Sequence, residues 1–89
     1  MDRAHVIFVG HVQGIYFRAF VKENAEKLGV NGWVRNLANG DVEAVFEGEK
    51  NRIEELIEIC RTTHPLANVA EVKVTWEKPE NLNKFIIKH

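Results

Sequence analysis

The sequence predicts an α+β sandwich in which two helices pack on one face of an antiparallel sheet. Apolar residues form strand-like runs at four places and recur at helical spacing in two longer segments. These segments follow one another in the order βαββαβ, and right-handed crossovers fold that order into a split βαβ sandwich. The chain has 89 residues and contains no internal linker or repeat, so we expect one domain over residues 1–89.

The first half of the chain predicts a strand, a helix and a second strand that opens a hairpin. Residues 4–9 are almost all apolar, and residues 17–28 carry apolar side chains at helical spacing before Gly29, a residue typical of helix ends. Residues 30–37 predict the second strand. The Asn39-Gly40 pair then predicts a type I′ turn, because both central positions of that turn need a positive φ.

The second half predicts a strand, a helix and a further strand. The third strand alternates apolar residues with acidic residues that we expect on a solvated face: Asp41, Glu43 and Glu47. The clearest helix covers residues 51–61 and ends before His64-Pro65. Residues 71–76 alternate as a fourth strand, and residues 85–87 are compatible with a short terminal strand.

Composition and charge exclude several classes of protein. The net charge of −1 gives no general attraction to nucleic acid or to acidic membranes. The single cysteine, Cys60, excludes an intramolecular disulfide and lies on the apolar stripe of the second helix, so we expect a buried structural thiol. Residues 1–20 do not resemble a signal peptide, and no apolar run approaches the ~18 residues of a membrane span. We therefore expect a cytoplasmic monomer that binds neither nucleic acid nor membranes.

Three stretches of the chain contain no carboxylate: residues 3–22, 30–40 and 60–70. In the predicted topology, the end of the first strand, the hairpin turn and the loop after the second helix lie at one edge of the sheet. Each of these features falls in one acid-free stretch. We therefore expect an electropositive edge that attracts a small anion.

The segment G-H-V-Q-G-I-Y-F-R at residues 10–18 has the composition of a phosphate-binding loop. Its glycines let the backbone turn so that several N–H groups point at one anion. The helix start adds unpaired N–H groups, and Arg18 adds a charged fork that matches a phosphoryl group. No Lys-Ser or Lys-Thr pair follows Gly14, so the loop is not a nucleotide-binding P-loop.

The residues that are absent narrow the chemistry of this loop. It contains no cysteine nucleophile, and the acid-free stretches hold no residues at metal-binding spacing, so we expect no metal and no cofactor. Such a site stabilises phosphoryl charge but cannot protonate a poor leaving group. A carboxylate, with a pKa of about 4, leaves without a proton, whereas an alkoxide does not. These residues favour a mixed carboxylic–phosphoric anhydride as the substrate class.

Two motifs, residues 10–18 and G-W-V-R-N-L-A-N-G-D-V-E at residues 32–43, resemble the two signatures of the acylphosphatase family. The resemblance extends to residues 65–69 and 85–87 and covers nearly the whole chain. It implies a ferredoxin-like fold and a metal-independent hydrolysis of acyl phosphates to a carboxylate and inorganic phosphate. Small acyl phosphates would be the substrates, and inorganic phosphate would be both product and competitive ligand.

The resemblance also implies roles for individual residues. Arg18 would be the catalytic arginine that binds the phosphoryl group, and Asn36 would hold the attacking water. The backbone of six residues would form the phosphate cradle: Val12, Gln13, Gly14, Ile15, Tyr16 and Phe17. Two positions depart from the family pattern, since Ile15 stands where valine is usual and Thr63-His64 stands where Gly-Pro is common. The second departure lies in a loop at the active edge, where we expect it to affect access rather than the catalytic pair.

Several residues keep more than one interpretation. Gln13 fits a brace for the loop backbone better than a catalytic group. Tyr16 fits a contact with the acyl group or a contact with the domain surface. His11 and His64 are expected to be inert. The rival function is a non-catalytic module that binds phosphate or carbamoyl phosphate, whereas RNA binding is disfavoured because the third strand carries acids where stacking aromatic and basic residues are needed.

Overall fold

The computed structural model describes every residue from Met1 to His89. Two helices pack against a five-stranded sheet whose strands lie in the order β4-β1-β3-β2-β5. The elements are β1 (Asp2–His11), α1 (Phe17–Lys27), β2 (Asn31–Asn36), β3 (Val42–Gly48), α2 (Lys50–Thr62), β4 (Asn68–Glu77) and β5 (Phe85–Ile87). The predicted βαββαβ sandwich is confirmed. Neither helix has the length and the apolar run that are needed to cross a membrane.

The fifth strand makes the sheet mixed, while β1 to β4 form the antiparallel sheet that the sequence predicts. β5 runs parallel to β2, with Phe85 opposite Gly32, while the other neighbouring strands are antiparallel. β4 ends beside the start of β1, where Glu77 pairs with Arg3. β2 also begins at this end of the sheet, since Asn31 pairs with Glu47. The chain crosses to the far side of β2 at the same end, so β5 runs in the same direction as β2.

The core lies between the sheet and the helices. Each helix buries an apolar stripe at helical spacing: Phe17, Val21 and Ala25 in α1, and Ile53, Leu56 and Cys60 in α2. The rings of Phe8 and Phe17 meet edge to face at 5.4 Å, which fixes the start of α1 against β1. Burial raises the pKa of the Cys60 thiol to about 12, so Cys60 is the structural thiol that its position predicts.

Glu47 is buried, and the prediction of a solvated position was wrong. Arg3 Nη1 donates to its carboxylate at 2.9 Å, and the N–H groups of Glu80 and Leu82 donate at 2.7 and 2.8 Å. The segment 78–84 therefore covers this part of the sheet, which alternation within a strand cannot reveal. Burial raises the pKa of Glu47, but the hydrogen bonds from the Glu80 amide, Arg3 and the Leu82 amide outweigh it and hold the pKa below its usual value.

Three loops meet at one edge of the sheet, as the topology predicts. His11 at the end of β1 pairs with Asn68 at the start of β4. Asn36 at the end of β2 pairs with Val42 at the start of β3. The connections after β1, after β2 and before β4 therefore leave from the same edge, and this edge contains the candidate site.

Candidate active site

The loop between β1 and α1 has the backbone conformation of an anion cradle. Gly14 has a φ of 76° and Tyr16 a φ of 61°, so two alternate residues adopt the left-handed region. This alternation turns successive N–H groups toward one concavity. None of the N–H groups of residues 12–16 donates to another backbone group, and the first helical bond of α1 runs from Phe20 N to Tyr16 O. The loop and the first turn therefore present unpaired donors to an anion.

Arg18 lies in the first turn of α1, beside the cradle, and is half buried. Its Nη1 donates to the carbonyl oxygen of Lys88 at 3.3 Å and lies 3.4 Å from Nδ1 of His89. None of the ion pairs in the protein includes Arg18. Arg18 therefore has no carboxylate partner, and its charge remains available to a phosphoryl group.

Gln13 connects the cradle to the β2–β3 hairpin. Its Nε2 donates to the carbonyl oxygens of Leu37 and Asp41, both at 2.8 Å. Leu37 directly follows Asn36, so these two bonds fix the end of β2 relative to the loop. The contacts agree with the predicted role of Gln13 as a brace for the backbone, and they locate that brace between the two halves of the site.

The hairpin turn itself differs from the predicted type I′ turn. Gly40 has a φ of 97°, but Asn39 does not have a positive φ. Gly40 N donates to Leu37 O at 3.2 Å and closes a four-residue turn. Asn39 Oδ1 accepts the N–H of Asp41 at 3.0 Å. The hairpin is confirmed and its turn type was wrong, because the asparagine side chain bonds the backbone two residues on instead of adopting the left-handed conformation.

The cradle, Arg18 and Asn36 line one cleft of about 390 Å³ at this edge. Six of the eight residues predicted for the site line it: Val12, Gly14, Tyr16, Phe17, Arg18 and Asn36. The side chains of the other two point elsewhere, since Gln13 bonds the hairpin and Ile15 packs against the core. The structure therefore brings six of the predicted residues together, while Gln13 and Ile15 lie outside the lining.

The sequence did not indicate three residues of the lining: Ala19, Ile87 and His89. Ile87 and His89 reach the cleft because β5 joins the sheet beside β2, and no local pattern tells which edge a short terminal strand joins. Ala19 reaches the cleft because it lies in the first turn of α1, directly after Arg18. No sequence pattern singled it out.

His11, at the end of β1, and His64, in the loop before β4, lie outside the lining of the cleft. The ring centroid of His64 lies 4.9 Å from that of Phe20 and 6.0 Å from that of Phe17. Its Nδ1 accepts the N–H of Leu66 at 3.1 Å. His64 therefore supports the start of α1. His11 is exposed and does not line the cleft. The protein contains no group of three or more histidine, cysteine, aspartate or glutamate side chains that could hold a metal ion.

The chemistry that this arrangement supports is charge stabilisation and positioning. Arg18 and the cradle amides can bind phosphoryl oxygens, and the Asn36 amide can both donate to and accept from a water molecule. No aspartate or glutamate side chain lines the cleft. A βαββαβ sandwich with such a cradle at its edge can bind a phosphoryl group and hold a water molecule beside it.

Comparisons with known proteins identify the family. The acylphosphatase family model matches residues 4–87. An acylphosphatase of Haloarcula marismortui is 49% identical over 86 residues, covering 97% of this chain and 94% of its own length. One of Thermococcus kodakarensis is 52% identical over 83 residues, covering 93% and 91%. The crystal structure of acylphosphatase from Bacillus subtilis has a TM-score of 0.96 at 33% identity and covers 100% of both chains.

The chain belongs to the acylphosphatase family. Its fold is the ferredoxin-like sandwich of that family, and its activity is the hydrolysis of acyl phosphates.

Proposed function

We propose that this hydrolysis takes place in the cleft at the sheet edge, with Arg18 and the N–H groups of residues 12–17 holding the phosphoryl group. Asn36 orients the attacking water. The observation that carries the proposal is that Arg18 from α1, Asn36 from β2 and the loop between β1 and α1 line the same cleft. Gln13 supports it further, because its two bonds hold the loop and the end of β2 together.

The reaction is an in-line displacement at phosphorus. The oxygen of the water held by Asn36 forms a bond to phosphorus, while the bond from phosphorus to the acyl oxygen breaks. The electron pair of that bond leaves with the carboxylate. The proton of the water passes to a phosphoryl oxygen, so the products are a carboxylate and inorganic phosphate. Arg18 and the cradle amides stabilise the charge that spreads over the phosphoryl oxygens.

The weak basicity of the leaving group explains why this site needs no acid. A carboxylate, with a pKa of about 4, departs unprotonated at neutral pH. A metal ion is not required for the same step, because Arg18 and the amide donors supply the positive charge. The cleft accommodates small acyl phosphates as substrates and inorganic phosphate as product and competitive ligand. The monomeric state and the cytoplasmic location remain predictions from the sequence.

The second candidate is a module that binds phosphate or carbamoyl phosphate without turnover. Such a module needs the cradle and Arg18 but has no use for an amide that holds water. Asn36 lies in the same lining as Arg18, and this favours the enzyme. Two variants separate the candidates: Arg18→Gln and Asn36→Ala.

The test measures phosphate release from acetyl phosphate, together with the inhibition constant of inorganic phosphate. We expect Arg18→Gln to lose both turnover and phosphate affinity, because it removes the charged fork. We expect Asn36→Ala to lose turnover, by about 100-fold, and to keep the phosphate affinity of the wild type. Arg52→Gln and Asn51→Ala, both exposed on α2, are the matched controls. Hydrolysis near the wild-type rate by either site variant would overturn the assignment.

A further inference from the structure

Tyr16 combines three features that no role in folding explains. It adopts a left-handed backbone conformation with a φ of 61°. Its side chain is 87% exposed. It also lines the cleft that contains Arg18 and Asn36. The alternative that Tyr16 packs on the domain surface is wrong, since an 87% exposed ring rests against almost nothing in the protein.

The backbone at this position favours glycine rather than tyrosine. A left-handed residue with a Cβ atom is disfavoured, and a bulky residue there is uncommon. Gly14, two residues earlier, fulfils the same conformational demand without that cost. The cradle therefore needs the left-handed conformation at residue 16, but it does not need the aromatic ring. A ring retained at such a position contacts something that is not part of the folded chain.

The surroundings of the ring indicate what that contact is. Tyr16, Ala19 and the half-buried Ile87 all line the cleft, and we call these three side chains its apolar wall. Arg18, Asn36 and His89 form the polar part of the lining. No aspartate or glutamate side chain lines the cleft. A substrate whose phosphoryl group occupies the cradle must place its acyl group in the remainder of this space. An apolar wall that contains an aromatic ring favours a planar or branched hydrocarbon group over a small polar one.

We propose that Tyr16 is a specificity-determining residue that contacts the acyl group and favours acyl phosphates with an aromatic or branched hydrocarbon acyl group over acetyl and carbamoyl phosphate. This proposal rests on the proposed function of the cleft. The phosphoryl group is bound by Arg18 and the cradle, which treat all acyl phosphates alike. Discrimination between substrates then arises at the apolar wall, where burial against the Tyr16 ring depends on the acyl group.

The test compares kcat/KM for benzoyl phosphate with kcat/KM for acetyl phosphate in the wild type, Tyr16→Gly and Tyr16→Phe. We expect the benzoyl-to-acetyl ratio to fall about 2- to 10-fold in Tyr16→Gly, the range that one aromatic contact provides. We expect Tyr16→Phe to keep the ratio, because the ring and not the hydroxyl makes the contact. Leu66→Ala is the control, since Leu66 is 64% exposed at the same edge of the sheet but lies outside the lining.

Two further measurements separate specificity from a structural effect. The Tm of Tyr16→Gly should equal or exceed that of the wild type, because glycine tolerates the left-handed conformation. The inhibition constant of inorganic phosphate should stay within about 2-fold, because glycine adopts the same left-handed conformation and keeps the N–H group that residue 16 contributes to the cradle. An unchanged benzoyl-to-acetyl ratio overturns the proposal, and so does a changed ratio that is accompanied by lost phosphate affinity. If the wild type releases phosphate from neither benzoyl phosphate nor acetyl phosphate, the proposed function itself fails. That result is distinct from an unchanged ratio and from a changed ratio with lost phosphate affinity.

Discussion

Gln13 connects the cradle to the end of β2, so the single substitution Gln13→Ala tests whether positioning of Asn36 and binding of phosphate are separate roles in the site. In Gln13→Ala the two bonds to Leu37 O and Asp41 O are lost, both of which measure 2.8 Å. Each carbonyl keeps another partner, since Leu37 O accepts from Gly40 N and Asp41 O accepts from Leu37 N. The free energy of unfolding should therefore fall by about 1–2 kcal/mol. For a domain of this size the Tm should fall by about 5–15 °C.

The effect of Gln13→Ala on catalysis should be larger than its effect on stability. Without the brace, the end of β2 shifts relative to the cradle, and a displacement of about 1 Å in a positioning group costs up to about 100-fold in rate. We expect kcat for acetyl phosphate to fall 10- to 100-fold, that is, by about 1.4–2.7 kcal/mol. The inhibition constant of phosphate should change by less than about 3-fold, because the substitution keeps Arg18 and every backbone N–H group of the cradle, including that of residue 13.

The assay is steady-state phosphate release at a temperature well below the Tm of every variant. Ile53→Val provides the matched control, since it removes one methyl group from the buried face of α2 and costs about 0.5–1.5 kcal/mol without contact to the site. If Gln13→Ala keeps the kcat of the wild type, or loses no more activity than Ile53→Val, the brace does not position Asn36. Equal losses of kcat and phosphate affinity would also contradict the reasoning, because they place the brace in the cradle alone.

Three further predictions concern stability and metal dependence. Glu47→Gln should destabilise the protein by about 3 kcal/mol at pH 7, because an uncharged amide with one acceptor oxygen replaces a buried carboxylate that accepts from Arg3 and from the N–H groups of Glu80 and Leu82, while Arg3 keeps only its bond to the more exposed Glu77. The folded-state pKa of Glu47 is lowered. Its contribution to stability is therefore present above the unfolded pKa of about 4.3 and is lost as the pH falls through the folded-state pKa. Urea titrations should show the unfolding free energies of the wild type and Glu47→Gln converging in acid, and a constant difference between them down to pH 2 would contradict this. Gly10→Ala should lower the free energy of unfolding by about 3 kcal/mol, since its Cβ would lie 2.2 Å from Asn68 O at a φ of +136°. The loss is measured as a lower urea midpoint, and a midpoint equal to that of the wild type would show that β4 can move away freely. Phosphate release should be unchanged by EDTA, and a loss that added Mg²⁺ restores would refute the metal-independent mechanism.

The helices and the hairpin could be predicted from the sequence, because periodic apolar residues and turn residues indicate them. The stripe at Ile53, Leu56 and Cys60 identifies α2, and the Asn39-Gly40 pair identifies the hairpin. These signals are local, because each arises from residues within a few positions of one another. The meeting of three loops at one edge followed from topology alone, since strand directions alternate in a known way once the element order is fixed.

The features that sequence reasoning missed depend on contacts between distant parts of the chain. Glu47 looks like any acid on an exposed face until the segment 78–84 covers it and Arg3 pairs with it. Ile87 joins the cleft because β5 pairs with β2, and nothing within residues 85–87 specifies that neighbour. The strain at Tyr16 was hidden for a different reason, since a left-handed φ at a tyrosine is set by the cradle around it and not by its own preference.

Hydrolysis of acetyl phosphate in water enriched in oxygen-18 tests the central claim most directly. The account places the attacking water at Asn36 and the phosphoryl group on Arg18 and the cradle, so the new bond forms to phosphorus. It predicts that one labelled oxygen enters inorganic phosphate in each turnover and that the acetate carries none. Label in the acetate would mean attack at the carbonyl carbon, and it would contradict the roles given to all three parts of the site.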